Sequence, residues 1–222
     1  DIQNYNWVNN PLDLIKIKNC NVLIELIGEE KGISFELIKN ALENKIHVVT
    51  ANKALLAKNG LELFKIAEDN NVLLLYEAAV AGGIPIIKVV KNNIFLNKFK
   101  KISGILNGTT NYILTTMLEN NLSFDKVLSL AKSKGYTSDA ESELDIGGLD
   151  SAHKLSILAS ICFSSKINFS LNEVQGISKI EIDDLINANN LGYKIKLISE
   201  AFVDKNKIYC ITEPKLIKND NP

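Results

Sequence analysis

A chain of 222 residues that is 46% hydrophobic and 23% charged has the composition of an ordinary globular protein and the length for one or two domains. Its net charge of -1 lacks the basic excess of a nucleic-acid surface. No apolar run approaches the ~18 residues of a membrane span, so neither nucleic acid nor membrane is an expected partner.

Cys20, Cys162 and Cys210 are odd in number and widely spaced, and His47 and His153 are the two histidines, so no Cys/His zinc spacing exists. Reduced core cysteines and a polar N-terminus make a cytoplasmic location the default. The chain begins at Asp1 and not at Met, which suggests a piece of something longer.

In chain order, residues 21–27 (NVLIELI) read as a continuous apolar strand ending at Gly28, the pattern of a strand buried on both faces of a parallel sheet. Ser34 is the expected N-cap of a helix that turns Phe35, Ile38, Ala41 and Leu42 inward. Residues 47–50 predict a second strand, 51–70 a second helix and 72–76 a third strand. This alternation predicts right-handed βαβ crossovers and an open parallel sheet. Ligands of such sheets bind at the carboxyl ends of the strands. Those ends are Gly28, the turn from Thr50 to Lys53, and residues 77–85 (EAAVAGGIP), whose adjacent glycines signal a sharp turn or a close approach.

From about residue 86 the pattern changes to that of a mixed domain. A helix over 86–93 precedes a strand over 99–106 that delivers Asn107, Gly108, Thr109 and Thr110. Thr109 or Thr110 can cap the next helix, a natural place for a polar or anionic ligand. Ser123 caps a further helix, closed by Gly135. Residues 135–154 (GYTSDAESELDIGGLDSAHK) then read as an acidic, glycine-interrupted loop carrying Asp139, Glu141, Glu143, Asp145 and Asp150, followed by a helix over about 149–163. Carboxylates at close range disfavour one another, so a cation is expected opposite. Asp150 and Lys154 stand at i and i+4 on one helical face, continued by Ile157, Leu158 and Ile161. A partly desolvated lysine there can make its proton available near neutral pH. A helix over 182–189 and strands over 193–203 and 207–211 follow.

Four ordered stretches, TANKALLAKNG (50–60), YEAAVAGGIPII (76–87), GILNGTTNYIL (104–114) and DIGGLDSAHK (145–154), closely resemble homoserine dehydrogenase. The resemblance covers nearly the whole chain from about residue 21 to 203. It implies NAD(P)-dependent interconversion of L-aspartate 4-semialdehyde and L-homoserine, in threonine and methionine biosynthesis, by a cytoplasmic homodimer. The implied fold is α/β, with two domains. Residues 1–85 would be the C-terminal part of a Rossmann-like parallel-sheet domain lacking its first βαβ. Residues 86–222 would be an α+β catalytic and dimerisation domain, incomplete at its C-terminal end.

The resemblance also implies site residues. Lys154 matches the proton donor to the carbonyl oxygen, and Asp150 matches the aspartate that binds the amino-acid part of the substrate. Lys53 matches a lysine near nicotinamide and substrate. Gly28 and Gly135 match cofactor-lining positions, and Thr50 stands in the same strand-end turn as Lys53. Glu77, Val80, Gly82 and Ile84 match positions that hold sodium, mostly through backbone carbonyls. The family's acidic loop normally carries a glutamate and an Asp-Pro or Asn-Pro pair before the aspartate matching Asp145. Here the stretch reads Ser138, Asp139, Ala140, Glu141 without proline, and Ser138, Asp139 and Glu141 are alternative counterparts of that glutamate. No G-x-G-x-x-G occurs. Two alternatives stay open at this point: a non-catalytic remnant that folds but cannot hold the dinucleotide, and a dehydrogenase of a related amino-acid semialdehyde.

Overall fold

Short apolar strands alternate with amphipathic helices in the first part of the computed structural model, which describes residues 5–94, 96–166, 169 and 172–221. The chain divides into two compact units, Asp1–Asn93 and Ile94–Pro222.

In the first unit, β1 (Val22–Glu25), α1 (Ile33–Glu43), β2 (His47–Thr50), α2 (Lys53–Asp69), β3 (Leu74–Leu75) and α3 (Ile86–Asn93) follow one another. The strands form a parallel sheet in the order β1-β2-β3, with Leu23 beside Val48 and Val48 beside Leu74. That face is buried, together with Leu37, Ile38, Leu42, Leu55 and Leu63 of α1 and α2. Val22, Ile24, Leu73 and Leu75, on or beside the other face, are all about half exposed or more. The expectation that residues 21–27 bury both faces is therefore corrected. β1 alternates, with Leu23 and Glu25 buried on the side where α1 packs and Val22 and Ile24 exposed on the other. The expected N-cap at Ser34 also moves: Gly32, with φ +72°, holds that position and Ser34 lies inside the first turn, fully buried. α2 has the cap that α1 lacks, Asn52 Oδ1 accepting from the Leu55 N–H at 3.0 Å.

The second unit contains β4 (Lys101–Gly104), α4 (Gly108–Asn120), α5 (Phe124–Ser133), α6 (Asp139–Ile146), α7 (Leu149–Cys162), β5 (Asn172–Val174), α8 (Ile182–Asn190), β6 (Tyr193–Asp204) and β7 (Lys207–Lys218). The sheet order is β4-β6-β7-β5, antiparallel except for the parallel β5–β7 pair. β6 and β7 form one long hairpin whose two turn residues, Lys205 and Asn206, both have positive φ, as a type I′ turn requires. One core cluster joins Ile113, Leu114 and Met117 to Val127, Leu185 and Leu197; another joins Leu155 and Ala159 to Ala201 and Cys210. Buried Glu200 of β6 is bonded by Lys101 of β4 at 2.6 Å and by Lys215 of β7.

Two expectations change here. Asn107, and neither Thr109 nor Thr110, caps α4, accepting from the Thr110 N–H at 2.8 Å. The acidic stretch expected as a loop is largely the helix α6. Ser138 caps it, and Asp139 and Glu141 fall in its first turn, where carboxylates suit the partial positive charge of a helix N-terminus. Gly135 follows the end of α5 with φ +76°, the left-handed conformation expected of a helix-stopping glycine. Among the described residues, no helix is long and apolar enough to cross a membrane.

Candidate active site

Beyond β4 the chain runs through Leu106 and Asn107 into α4, and these two residues organise a polar centre in the second unit. The buried Asn107 amide donates one hydrogen to Asp145 Oδ1 at 2.7 Å and the other to Asp150 Oδ2 at 2.9 Å. Thr137 Oγ1 donates to the other oxygen of Asp145 at 2.7 Å. Lys154 Nζ donates to Asp150 Oδ2 at 2.6 Å and to the Leu106 carbonyl at 2.9 Å. The Lys154 side chain keeps 19% exposure and that of Asp150 keeps 9%. An ion pair removed from water to this degree is costly unless further hydrogen bonds satisfy it, and Asn107 and Leu106 supply them.

The bend between α6 and α7 puts both aspartates there. Gly148, with φ +84°, makes the turn, and the Ile177 N–H donates to the Ile146 carbonyl at 2.8 Å. Gly176 crosses so close that a Cβ on it would lie 2.2 Å from the Ile146 oxygen. A side chain at residue 176 would displace the turn at Ile146 and Gly147, which separates Asp145 from Asp150.

The other candidate acids point elsewhere. Asp139, its side chain 94% exposed, pairs with Lys132 at 2.7 Å, and the hydrogen bond and charge of that lysine hold its carboxyl below the usual range. Glu141 Oε2 accepts from the Ser138 hydroxyl at 2.9 Å, and its N–H donates back to Ser138 Oγ. The structure thus brings Asp145, Asp150 and Lys154 together and leaves Ser138, Asp139 and Glu141 occupied with the start of α6. Nearby, Thr109 Oγ1 donates to the Tyr136 carbonyl at 2.9 Å, and the Tyr136 ring stacks on Tyr112 at 4.3 Å, which fixes the segment that carries Thr137.

In the first unit, Glu25 at the carboxyl end of β1 is 1% exposed. Its Oε1 accepts from the N–H groups of Ile27 at 2.8 Å and Gly28 at 3.2 Å, and its Oε2 accepts from the Thr50 hydroxyl at 2.6 Å. Thr50 Oγ1 accepts from the Asn52 N–H, and Asn52 Nδ2 donates to the Glu29 carbonyl. One buried carboxylate therefore ties together the two strand-end turns that carry Gly28, Thr50 and Lys53. Glu77 lies in a short 3-10 turn and caps α3, accepting from the N–H groups of Ile87 at 2.8 Å and Lys88 at 3.0 Å. Val80, Ala81 and Gly82 complete the turn, with Ala81 and Gly82 both at positive φ. Among the described residues, no group of three or more His, Cys, Asp or Glu could hold a metal.

Sequence reasoning missed the role of four of these groups. Glu25 is a lone acid inside the apolar run NVLIELI, and a single charge amid buried strand residues was the available signal. Asn107 stood out only as part of a cap cluster. Thr137 and the Leu106 carbonyl left no signal at all.

A parallel-sheet unit with polar strand-end turns, followed by an α+β unit that holds a lysine between a carboxylate and a carbonyl, fits a dinucleotide-dependent oxidoreductase. Comparison with known proteins narrows the class. The family model described as homoserine dehydrogenase, NAD binding domain, matches residues 6–77, and that described as homoserine dehydrogenase matches residues 85–222. The chain belongs to the homoserine dehydrogenase family. The homoserine dehydrogenase of Neisseria gonorrhoeae is 44% identical over 192 residues, covering 86% of this chain and 44% of that protein. The crystal structure of a homoserine dehydrogenase from Thiobacillus denitrificans superposes with a TM-score of 0.91 at 40% identity, over 96% of this chain and 49% of that one. A hyperthermophilic archaeal homoserine dehydrogenase mutant in complex with NADPH superposes with a TM-score of 0.79 at 30% identity, over 98% of this chain and 62% of that one. The chain spans about half the length of most of the curated relatives it matches.

Proposed function

We propose that this protein interconverts L-aspartate 4-semialdehyde and L-homoserine with NAD(P)(H), a step of threonine and methionine biosynthesis. The observation that carries the reading is the placement of Lys154 Nζ between Asp150 Oδ2 and the Leu106 carbonyl. When bound, the dinucleotide supplies or accepts a hydride at the substrate carbon. As a hydride reaches an aldehyde, an alkoxide develops on its oxygen, and Lys154 gives that oxygen a proton; in the reverse direction Lys154 takes the proton back. Asp150 and Asp145 bind the substrate ammonium by charge-assisted hydrogen bonds. Lys53, at the first position of α2, assists near the nicotinamide, and Gly28, Thr50 and Gly135 line the cofactor. Sodium is held by Val80, Gly82 and Ile84 through their carbonyls, with Glu77 beside them. The active form is a homodimer.

The test is NADP-dependent oxidation of L-homoserine, followed by nicotinamide absorbance, together with NADPH titration followed by fluorescence. Micromolar dinucleotide binding with turnover supports the reading. Binding with turnover of another amino-acid semialdehyde and none of homoserine would replace the substrate, and the absence of dinucleotide binding would remove the catalytic reading.

A further inference from the structure

We infer that Asn107 is the positioning residue of this centre: its side-chain amide sets the spacing of Asp145 and Asp150 and thereby aims the Lys154 ammonium. The inference rests on the proposed role of Lys154 as proton donor. Both amide hydrogens are committed, one to each aspartate, at 2.7 and 2.9 Å. A planar NH2 group directs its two bonds at a fixed angle, which holds the two carboxylate oxygens roughly 5 Å apart. At that separation the two charges repel, and a neutral double donor between them offsets the repulsion without taking a cation's place.

The amide is itself locked. Its oxygen caps α4 through the Thr110 N–H at 2.8 Å, so a flip of the side chain would break three hydrogen bonds and set an oxygen against two carboxylates. The preceding residue supplies the carbonyl that holds Lys154, so the dipeptide Leu106–Asn107 fixes both members of the ion pair. Thr137 does not duplicate this role, since its single hydroxyl hydrogen goes to Asp145.

Asn107→Ser keeps an oxygen at the cap position and removes both donors. Asn107→Asp keeps the cap and the shape and replaces the donors with a third carboxylate. Each is made in the full chain and its folding checked by circular dichroism, then kcat and KM for homoserine are measured across pH. In Asn107→Ser, kcat falls by about 10²-fold through misplacement of the proton-transfer group, while KM for NADP is unchanged. In Asn107→Asp, which keeps the cap but sets a carboxyl against Asp145 and Asp150, kcat falls at least as far, again with KM for NADP unchanged. Wild-type kcat in either variant would overturn the inference. A second readout needs no turnover: the Cε resonance of 13C-labelled Lys154 in the ligand-free protein. If the parent protein does not oxidise homoserine, the substrate reading fails, yet a Lys154 signal that moves in Asn107→Ser still supports the positioning role. A signal that stays in place overturns it.

Discussion

Lys154 and Asp150 stand one helical turn apart on α7, with Nζ 2.6 Å from Oδ2, and the pair is gripped from outside the helix by Leu106 and Asn107. An exposed i,i+4 pair stabilises a helix by only about 0.3–0.5 kcal/mol and leaves both side chains mobile. Partial burial and the two outside bonds convert such a pair into a fixed lysine.

Removing that lysine should cost chemistry far more than folding. Lys154→Met is expected to lower kcat for homoserine oxidation by about 10²–10⁴-fold, the usual contribution of a positioned general acid or base. Asp150 keeps its bond from Asn107, so the near-ultraviolet circular dichroism should match the parent. Turnover at the parental rate would dismiss Lys154 as the proton donor.

Glu25 predicts the opposite balance. Glu25→Ala leaves the Ile27 and Gly28 N–H groups and the Thr50 hydroxyl without their acceptor in a buried place. The expected loss is about 2–4 kcal/mol of unfolding free energy, read from urea denaturation. Dinucleotide affinity should fall with it, because the turns carrying Gly28 and Lys53 lose their tie. A variant with parental stability and parental affinity would mean that these turns hold themselves.

At Gly176 the test is steric. A methyl group at residue 176 would meet the Ile146 carbonyl at 2.2 Å, so Gly176→Ala is expected to cost about 1–3 kcal/mol through overpacking. The same shift disturbs the turn between Asp145 and Asp150, so KM for homoserine should rise with KM for NADP unchanged. A thermal melt and a pair of substrate titrations decide it.

The acid limb of stability should report Glu200. Burial raises the pKa of this carboxyl, but hydrogen bonds and charge from Lys101 and Lys215 outweigh it and hold the folded value below the ordinary 4.5. The unfolded chain then binds more protons in that window, so the Glu200 contribution is full above pH 4.5 and is lost as pH falls through the lower folded value. Glu200→Gln is expected to lose about 1–3 kcal/mol at neutral pH and to flatten the decline below pH 4.5. Urea unfolding at a series of pH values measures both; a decline as steep as the parent's would place the acid sensitivity on other carboxylates.

Much of the architecture was legible because pattern and period carry it. The strand at residues 47–50 and the helix at 86–93 stand where apolar spacing puts them. The Asp150 and Lys154 pair was legible for the same reason, since i,i+4 spacing on a helix is a local property. What escaped was set by tertiary partners. The length of β7 comes from its pairing with β6 and not from its own residues, and β5, three residues long, exists because Asn172 to Val174 lie beside Cys210 to Thr212. The acids of α6 looked like a binding loop because charge density hides a helix start, and only the Ser138 cap signals the helix. Asn107 to Asp145 is a contact across 38 residues, which no local spacing encodes.

Asn107 is followed by Gly108, and this dipeptide gives the molecule a chemical clock. In an unfolded chain the glycine nitrogen attacks the neighbouring side-chain amide, ammonia leaves, and hydrolysis of the cyclic imide yields an acid at residue 107. In the folded protein the extended backbone of Asn107 and its three hydrogen bonds hold the amide away from that attack. Each excursion to the unfolded state is therefore expected to risk turning the double donor into a carboxylate, which the refolded chain cannot reverse. Peptide mass mapping of heat-aged protein would read this, with Asn59–Gly60 inside α2 as the internal reference for a similarly shielded pair. Heat inactivation with Asn107 still intact would show that ageing acts elsewhere.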